Sequence, residues 1–407
     1  KLFKLIRRLR SSVGKKLFDK CGKNINIEKG ADFGTGRGIS VGDNSGLGIN
    51  CKVRGPLDIG DNVMMGPDVI ILTNSHNFGR TDIPMNVQGH TVPKKVKIGS
   101  VFAQNEWKNE KWGILIGGRL DWHNMLDKPV FSPRANIRFN PGKNINLRAS
   151  YSFGFRAPQA FDEDLHIENV GGTISMIELA DNLKEEKSQS FSVSADVYHR
   201  WGAFQGNFLL EGFYTNLSDV FALREIGVRD GTIINERYNE KGAKVYGLTL
   251  EGKIAYLSLL QLQAGITLQK ADYKNARTWS DDETVPMEKR IFRTPDTYGY
   301  FTLTYNPLKS LLVALSGTYT GSMLVEHKAG YIEKDIAVNT PDFWELNLKV
   351  GYDFTVYKNI GIQLNAGVRN IFNAYQKDFD RGSKRDSGYI YGPGMPRSYF
   401  AGVKISY

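Results

Sequence analysis

Two sets of residues in this 407-residue chain could do chemistry: one histidine beside an interrupted repeat, and charged side chains on strands. His76 follows Thr73-Asn74-Ser75, just after a regular repeat of apolar residues stops at Leu72. Imidazole titrates near neutral pH, so a histidine on a loop that leaves a rigid scaffold can act as a general base. A loop histidine is also often solvent-exposed without a role, and its residue type leaves both interpretations open.

The charged set lies on segments that alternate between polar and apolar residues. It comprises Arg148, Arg156, Glu251, Glu345 and Arg369. These side chains either bind a ligand inside a barrel or simply line a wet lumen. His123, His166, His199 and His327 are scattered without the spacing of metal ligands, so we predict no metal site.

The scaffold around His76 repeats with a period of six residues. Its apolar positions are Val41, Leu47, Val53, Ile59, Met65 and Ile71, preceded in an offset register by Ile27, Phe33 and Ile39. A period of six fits neither an α-helix nor simple strand alternation. It is typical of a solenoid in which each hexapeptide supplies one flat face and one inward apolar residue. Glycines such as Gly42 and Gly60 would form the corners.

The segment 59–68, followed by Thr73-Asn74-Ser75-His76, resembles the hexapeptide-repeat acyltransferases, a left-handed β-helix family of sugar and xenobiotic O-acetyltransferases. The resemblance covers residues 1–99. It implies that His76 deprotonates an acceptor hydroxyl, which then attacks the thioester of acetyl-CoA in a cytoplasmic trimer. It also places Asn50 in the coil that binds the acceptor. Most CoA contacts in the family lie in later coils, and the six-residue period does not return after Gly99.

An amphipathic helix precedes the repeat. Leu2, Leu5, Ile6, Leu9, Val13 and Leu17 recur at helical spacing, with basic residues mostly elsewhere. Such a helix either lies on a membrane surface, touches nucleic acid, or packs on its own domain or oligomer. No signal-peptide pattern accompanies it.

Beyond residue 100 the apolar period changes from six to two. We predict about thirteen strands with one apolar and one polar face, near residues 101–107, 112–122, 134–140, 145–156, 189–200, 203–215, 244–256, 258–269, 297–305, 311–320, 343–355, 360–370 and 398–407. Strands of about ten residues can cross a bilayer when tilted. Short turns alternate with long polar segments, which we predict to be loops, at about residues 157–188, 216–243, 270–296, 321–342 and 371–397. This alternation, with Tyr and Trp recurring near strand ends, is typical of outer-membrane barrels. A soluble β-rich binding module is the alternative, but it favours shorter strands.

The segments 101–107, 150–158 and 391–397, together with the aromatic C-terminus, resemble the C-terminal half of a TonB-dependent outer-membrane receptor. The resemblance covers about residues 101–407. It implies import of a siderophore, cobalamin, haem or glycan, driven through a TonB-type energy-transducing complex, with no cofactor in the barrel. Such transporters have about 22 strands, so we expect an incomplete barrel here.

Charge and composition divide the chain at the same place. The first 100 residues carry 17 basic and 8 acidic side chains, whereas the other 307 carry 36 and 35. Both cysteines but only four of the 47 aromatic residues lie in the first part. These counts exclude a disulfide-stapled mini-domain, and no apolar run is long enough for a transmembrane helix.

The sequence therefore predicts an all-β chain of two domains. Residues 1–99 would form a partial left-handed parallel β-helix with an N-terminal amphipathic helix, and residues 100–407 an incomplete outer-membrane barrel. Acetyl-CoA chemistry belongs in the cytoplasm and a barrel in outer-membrane lipid. We therefore interpret the chain as a chimera of a truncated O-acetyltransferase and a receptor barrel, and expect no nucleic-acid partner.

Overall fold

The computed structural model describes residues 2–73, 96–158, 175–229, 232–357 and 360–406. Its N-terminal region contains helix α1 (Leu2–Gly14), a 3-10 turn (Lys15–Leu17) and the strands β1 (Lys20–Cys21), β2 (Asn26–Ile27), β3 (Ile39–Val41), β4 (Gly46–Leu47), β5 (Lys52–Val53), β6 (Leu57–Ile59) and β7 (Ile70–Ile71). No helix in the described part of the chain is long and apolar enough to cross a membrane.

Three parallel ladders form the sides of this region. One joins β1, β3, β6 and the first residues of the next strand, β8 (Val96–Lys108). The second joins β2 and β4, and the third joins β5 and β7. Between the second and third coils the partners lie 18 residues apart, as Lys52 and Ile70 do, so one coil holds three hexapeptides. We call residues 18–73 and 96–98 the N-terminal solenoid; its left-handed winding stays a prediction.

The six-residue steps of the sequence fill the interior of the N-terminal solenoid. Its buried core consists of Phe18, Ile27, Ile39, Val41, Leu47, Cys51, Val53, Leu57 and Ile59. Phe33, Met65 and Ile71 are partly buried against it. Removing these side chains from water is the main favourable contribution to folding here, because the strands themselves are only two or three residues long.

Asparagines stack at one corner of the coils. Asn24, Asn44 and Asn62 have φ values of 55°, 54° and 58°, a left-handed conformation that Asn tolerates better than most residues. The Asn24 amide donates to Asn44 Oδ1 at 3.1 Å, and the Asn44 amide donates to Asn62 Oδ1 at 3.3 Å. This ladder holds successive coils in register.

The second region is an antiparallel sheet with thirteen long strands among the described residues. They are β8, β9 (Trp112–His123), β10 (Val130–Gly142), β11 (Ile145–Arg156), β13 (Glu186–Trp201), β14 (Phe204–Ser218), β17 (Ala243–Tyr256), β18 (Leu260–Arg277), β20 (Thr297–Leu308), β21 (Leu311–Thr320), β24 (Phe343–Tyr357), β25 (Ile360–Arg369) and β26 (Ser398–Ser406). Each predicted strand overlaps one of these, so the predicted number and order are confirmed. Short turns join the strands at one end of the sheet and long loops at the other.

Some predicted polar loops contain further strands. These are β12 (Ser175–Leu179), β15 (Val220–Arg229), β16 (Thr232–Glu240), β19 (Glu288–Arg290), β22 (Leu324–His327) and β23 (Ile336–Asn339). β12 pairs in parallel with β16, which pairs with β15. The prediction of segments 157–188, 216–243, 270–296 and 321–342 as loops was therefore wrong in part. Burial of Val220, Ala222 and Ile234 offsets the polar character of their neighbours.

The two faces of the large sheet differ as predicted. On one face, hydroxyl groups pair across strands: Ser150 with Ser192 at 2.7 Å, and Thr249 with Thr267 at 3.0 Å. The other face leaves large apolar side chains uncovered, and Val193 is 65% exposed. An apolar face in contact with solvent is unfavourable in water, whereas lipid would cover it at no such cost.

Strand β8 joins the two regions. Its residues Val96–Ile98 pair in parallel with β6, and Ile98–Lys108 pair antiparallel with β9. The strand thus runs across the predicted domain boundary at residues 99 and 100 as one element. Along the described strands the sheet does not close: β26 pairs with β25 alone. The N-terminal solenoid adjoins the long-loop end of the sheet, because β8 starts there and runs toward a short turn.

Candidate functional site

His76 lies outside the described residues, so its role as a general base stays a prediction. The solenoid's last described residue before it is Thr73, whose hydroxyl donates to the Arg54 carbonyl oxygen at 3.0 Å. This bond ties the point where the repeat stops to the coil below.

Asn50 lies at an exposed corner of the N-terminal solenoid. Its φ of 55° and its N–H bond to the Lys29 carbonyl at 2.9 Å are features of a corner residue. Its side chain covers Gly30, where a Cβ atom would collide with Asn50 Oδ1. Asn44 and Asn62 have the same conformation, so Asn50 has a structural reason to be asparagine, and its contact with an acceptor stays a prediction.

The five charged residues of the predicted lumen lie on four strands. Arg148 and Arg156 are on β11, Glu251 on β17, Glu345 on β24 and Arg369 on β25. Arg156 pairs with Glu186 at 2.8 Å, and Arg369 lies over the Phe400 ring at 5.3 Å. The structure therefore does not gather them into one site.

A continuous side-chain network lies instead between two long loops. One is the segment between β21 and β24, which contains β22 and β23, and the other runs from β25 to β26. We call the group at their contact the loop cluster, and it consists of His327, Gln376, Asp378, Asp380, Tyr389 and Tyr391. Tyr389 and Tyr391 also belong to a small buried apolar core with Val325 and Phe343.

His327 ends β22 and is held on two sides. Its Nε2 lies 3.0 Å from both carboxylate oxygens of Asp380. Its ring stacks on Tyr389, with the centroids 3.7 Å apart and the planes 5° from parallel. Since His327 and the Asp380 side chain are both buried, this pair fixes one loop against the other.

Asp378 accepts two phenolic hydroxyls. Tyr389 donates at 2.7 Å and Tyr391 at 2.5 Å. Burial alone would raise the pKa of the Asp378 carboxyl, but these hydrogen bonds bring its pKa below the usual value. Burial and the bond to Asp378 raise the pKa of Tyr391 to about 12 and raise the pKa of Tyr389 further. At neutral pH the group therefore holds one carboxylate and two neutral phenols.

Two buried amides fix the backbone of the same loop. Gln376 donates to the Tyr389 carbonyl at 3.0 Å and accepts the Tyr391 N–H at 3.0 Å. Asn370 donates to the carbonyls of Ala374 at 2.8 Å and Met395 at 2.9 Å. Both side chains are 1% exposed, and their bonds supply the partners that buried backbone groups need.

A third long loop, between β18 and β20, joins the cluster. Arg293 donates to the carbonyl oxygens of Ile390, at 2.8 Å, and of Gly388. The Lys328 ammonium lies 5.0 Å from the centroid of the Trp279 ring. Three loops that are distant in sequence are therefore connected at this end of the sheet.

Next to the loop cluster is a segment rich in basic residues, of which Lys377, Arg381 and Lys384 are exposed and Arg385 is half-buried. Residues 377–385 contain Lys377, Arg381, Lys384 and Arg385, while their two acidic side chains, Asp378 and Asp380, are bonded within the cluster. We call residues 377–385 the basic segment. Since the histidine and carboxylates of the cluster already have partners, the arrangement suits binding of an anion better than catalysis.

Sequence reasoning missed the loop cluster. It noted His327 only as a scattered histidine and 371–397 only as a long polar segment. The contact of His327 with Asp380 spans 53 residues and follows no period. Across the described ranges, no group of three or more His, Cys, Asp or Glu side chains is arranged to hold a metal ion.

Comparison with known proteins places this geometry in a family. A match to the family described as TonB dependent receptor-like, β-barrel covers residues 24–371, which includes most of the N-terminal solenoid. No curated protein matches the chain.

Solved structures share the fold. A variant of the ferric enterobactin receptor from Pseudomonas aeruginosa is 18% identical with a TM-score of 0.55, over 79% of this chain and 46% of that one. The siderophore receptor PirA from Acinetobacter baumannii is 17% identical with a TM-score of 0.54, over 76% and 46%. The ferric-catecholate import receptor Fiu from E. coli K12 is 17% identical with a TM-score of 0.52, over 76% and 44%.

This chain spans about half the length of those receptors. At such identities the likeness shows the fold alone, and that fold has the antiparallel strands described above. The family match, in contrast, covers far more than half of the chain. The chain therefore belongs to the TonB dependent receptor-like β-barrel family.

Proposed function

We propose that the chain forms part of an outer-membrane receptor that binds an anionic iron chelate of the siderophore type and imports it with energy from a TonB-type complex. Membership of the receptor family supports the transport role. Similar solved receptors are named for ferric enterobactin, siderophores and ferric catecholates. The observation that carries the ligand class is the basic segment, held in place by the loop cluster.

Exposed aromatic residues support the membrane setting. Trp107, Trp112 and Trp201 lie near the short-turn end of the apolar face, and Trp122 and Trp344 lie near the long-loop end. Tryptophan is enriched where the acyl chains of a bilayer meet its headgroups. Two such groups of residues, with an apolar face between them, match the pattern of a membrane-spanning barrel.

Two variants, each lacking three basic side chains at a different end of the sheet, test the proposed ligand class. Ferric enterobactin and its uncharged iron-free precursor would be titrated against the purified protein in detergent, with quenching of tryptophan fluorescence as the readout. We expect the triple variant Arg381→Ala, Lys384→Ala, Arg385→Ala to bind the ferric complex about tenfold more weakly or worse.

The matched control removes three exposed lysines from the short turns: Lys111→Ala, Lys143→Ala and Lys309→Ala. It loses the same charge at the opposite end of the sheet and should bind as the wild type does. Equal weakening in both triple variants would overturn the role of the basic segment. Unchanged binding in both would overturn the anionic ligand class at this site.

A second candidate function is O-acetyl transfer by the N-terminal region. The three parallel ladders and their inward six-residue steps favour it. In this proposal His76 acts as general base, Asn50 contacts the acceptor, acetyl-CoA is the acetyl donor, and three copies assemble in the cytoplasm. Thiol release from acetyl-CoA with sugar acceptors tests it, and equal rates for wild type and His76→Ala would remove His76 from the mechanism.

The position of the N-terminal solenoid bears on both candidates. It adjoins the end of the sheet that has the long loops, which in outer-membrane barrels is the extracellular end. Cytoplasmic acetyl-CoA would not be available there, so the receptor proposal is favoured. The chimera stays a hypothesis, and long-read sequencing of the source locus tests it: one uninterrupted, expressed reading frame would exclude an assembly artefact.

A further inference from the structure

Helix α1 contacts the N-terminal solenoid through its polar and small residues. Arg10 donates to the Ile27 carbonyl at 3.1 Å, and the Ile27 N–H donates to Ser11 Oγ at 2.9 Å. Gly14 lies so close to Ile27 that a Cβ atom on Gly14 would meet Ile27 Cδ1. The helix thereby covers the first coil and supplies partners for its backbone.

This contact leaves an apolar stripe of the helical segment uncovered. Ile6, Leu9 and Val13 are spaced three and four residues apart, and Leu17 follows one turn later. Their exposed fractions are 43%, 57%, 66% and 49%. Amphipathic helices that pack on their own domain usually bury this stripe. Here the described side chains of the stripe have no covering element.

The same segment is strongly basic. Seven basic residues lie within the first 16 positions, and the first acidic residue is Asp19. An exposed apolar stripe together with an excess of basic residues is the combination that binds anionic lipid, since the stripe enters the acyl boundary while the cations meet headgroup phosphates.

We propose that α1 is a membrane-surface anchor that docks on an anionic lipid bilayer. A second copy fits less well, because residues 1–16 of two chains face to face would bring 14 basic side chains together without an acidic one. Nucleic acid would satisfy the charges but leave the stripe in water. A bilayer satisfies both.

Helix α1 and the barrel sheet lie at opposite ends of the first ladder. The order within the first ladder is β1, β3, β6 and β8, so α1 covers the coil at the opposite end from β8. The anchor is therefore a contact in addition to the barrel's own apolar face, and it can be tested separately.

Vesicle flotation tests the proposal on the full chain, kept soluble by an amphipathic polymer that covers the barrel's apolar face. The vesicles would consist of phosphatidylcholine alone or with a third of phosphatidylglycerol. We expect wild type to float with the anionic vesicles, to stay behind with the zwitterionic ones, and to bind less in high salt.

The variant Leu9→Ser with Val13→Ser should float about tenfold less. Both side chains are exposed, so folding is not expected to suffer, and circular dichroism would check this. The matched control is Leu223→Ser with Val228→Ser, which removes two exposed apolar side chains from β15 and should float as wild type does.

Four results would overturn the proposal, and the first three concern flotation and mass. The first is equal flotation of wild type and the Leu9→Ser, Val13→Ser variant. The second is equal flotation of wild type with both kinds of vesicle. The third is a doubled mass in light scattering without vesicles that the two serine substitutions abolish. The third result would identify a second copy as the occupant. Binding of double-stranded DNA that survives the two serine substitutions, with no flotation, would identify nucleic acid instead.

Discussion

The N-terminal solenoid and the barrel sheet are both built from strands joined by backbone hydrogen bonds, parallel in the solenoid and antiparallel in the sheet, but they place apolar side chains in opposite surroundings. In the solenoid, Leu57 and Val53 are fully buried among other apolar groups. In the sheet, Val193 and Leu248 are more than half exposed. Strand pairing alone therefore does not determine whether the apolar side chains of a β-structure face a protein core or the surroundings. The spacing of the apolar residues determines it. Apolar residues six positions apart point into the interior of the solenoid, whereas apolar residues two positions apart form one outward face of the sheet.

Truncating one buried leucine should reveal the largest difference in stability between the two regions. Leu57→Ala leaves a cavity in the solenoid core and should lower its free energy of unfolding by about 2–5 kcal/mol. The reactivity of the buried Cys51 thiol during denaturation, in a Cys21→Ser background, reports on this region alone.

The control is the same substitution on the exposed face of the sheet, Leu210→Ala. It should leave the denaturation midpoint seen by Cys51 unchanged, because Leu210 lies on β14, far along the sheet from the solenoid. If both variants shift that midpoint equally, the two regions unfold together and the comparison fails.

Charge on the apolar face should reveal lipid as its solvent. Leu250→Arg places a guanidinium in the middle of β17 and should cost about 2–4 kcal/mol in a bilayer. The folded fraction can be read in lipid vesicles from heat-modifiable migration on gels. Gln263→Arg, on the polar face of β18, is the matched control and should fold normally. Equal folding of the two variants would contradict a lipid-facing apolar surface.

The loop cluster should depend on its buried amide. Gln376→Leu removes the partners of the Tyr389 carbonyl and the Tyr391 N–H and should destabilise the loop by about 1–3 kcal/mol for each unsatisfied group. Hydrogen exchange at residues 389–391 should speed up accordingly. Lys377→Leu alters the neighbouring exposed residue and should leave exchange unchanged; faster exchange there as well would point to general sensitivity of the loop.

The smallest expected effect is a pH dependence of the same cluster. The pKa of Tyr391 is raised to about 12, so the stability it contributes is fully present below about pH 10 and is lost as the pH rises through 12. The pKa of Asp378 is lowered, so its contribution is present above about pH 4 and is lost as the pH falls further.

Phenolate absorbance measures the alkaline side. The difference between wild type and Tyr391→Phe should show one ionisation near pH 12. A midpoint at the ordinary value of about 10 would mean that Tyr391 is neither buried nor bonded to Asp378 as described here.

Much of the architecture was readable from local patterns. Alternation placed all thirteen long strands, although β18 (Leu260–Arg277) runs eight residues beyond its predicted end. The inward positions of the solenoid could be predicted because each lies six residues after the previous one. The alternation of polar and apolar residues stops beyond the ends of the long strands. The strands β12 and β16, which pair two polar segments with each other, were therefore missed.

The candidate site could not be predicted in the same way. His327, Asp380 and Tyr389 become a site only because β21, β24, β25 and β26 bring their loops to one end of the sheet. The basic residues at 377–385 were visible in the sequence, but nothing local showed that Asp378 and Asp380 are engaged elsewhere and leave those cations in excess.

The inward residues of the solenoid, the thirteen long strands and the apolar face of the sheet follow from local sequence, because they depend on periods of six and two residues that act between near neighbours. Three features are visible only in the folded chain: β8 belongs to both regions, α1 covers a coil with its polar side, and three loops share one network. These features escape sequence patterns because they are contacts between residues dozens of positions apart. Such contacts follow from the order of the strands in the sheet, which no local pattern encodes.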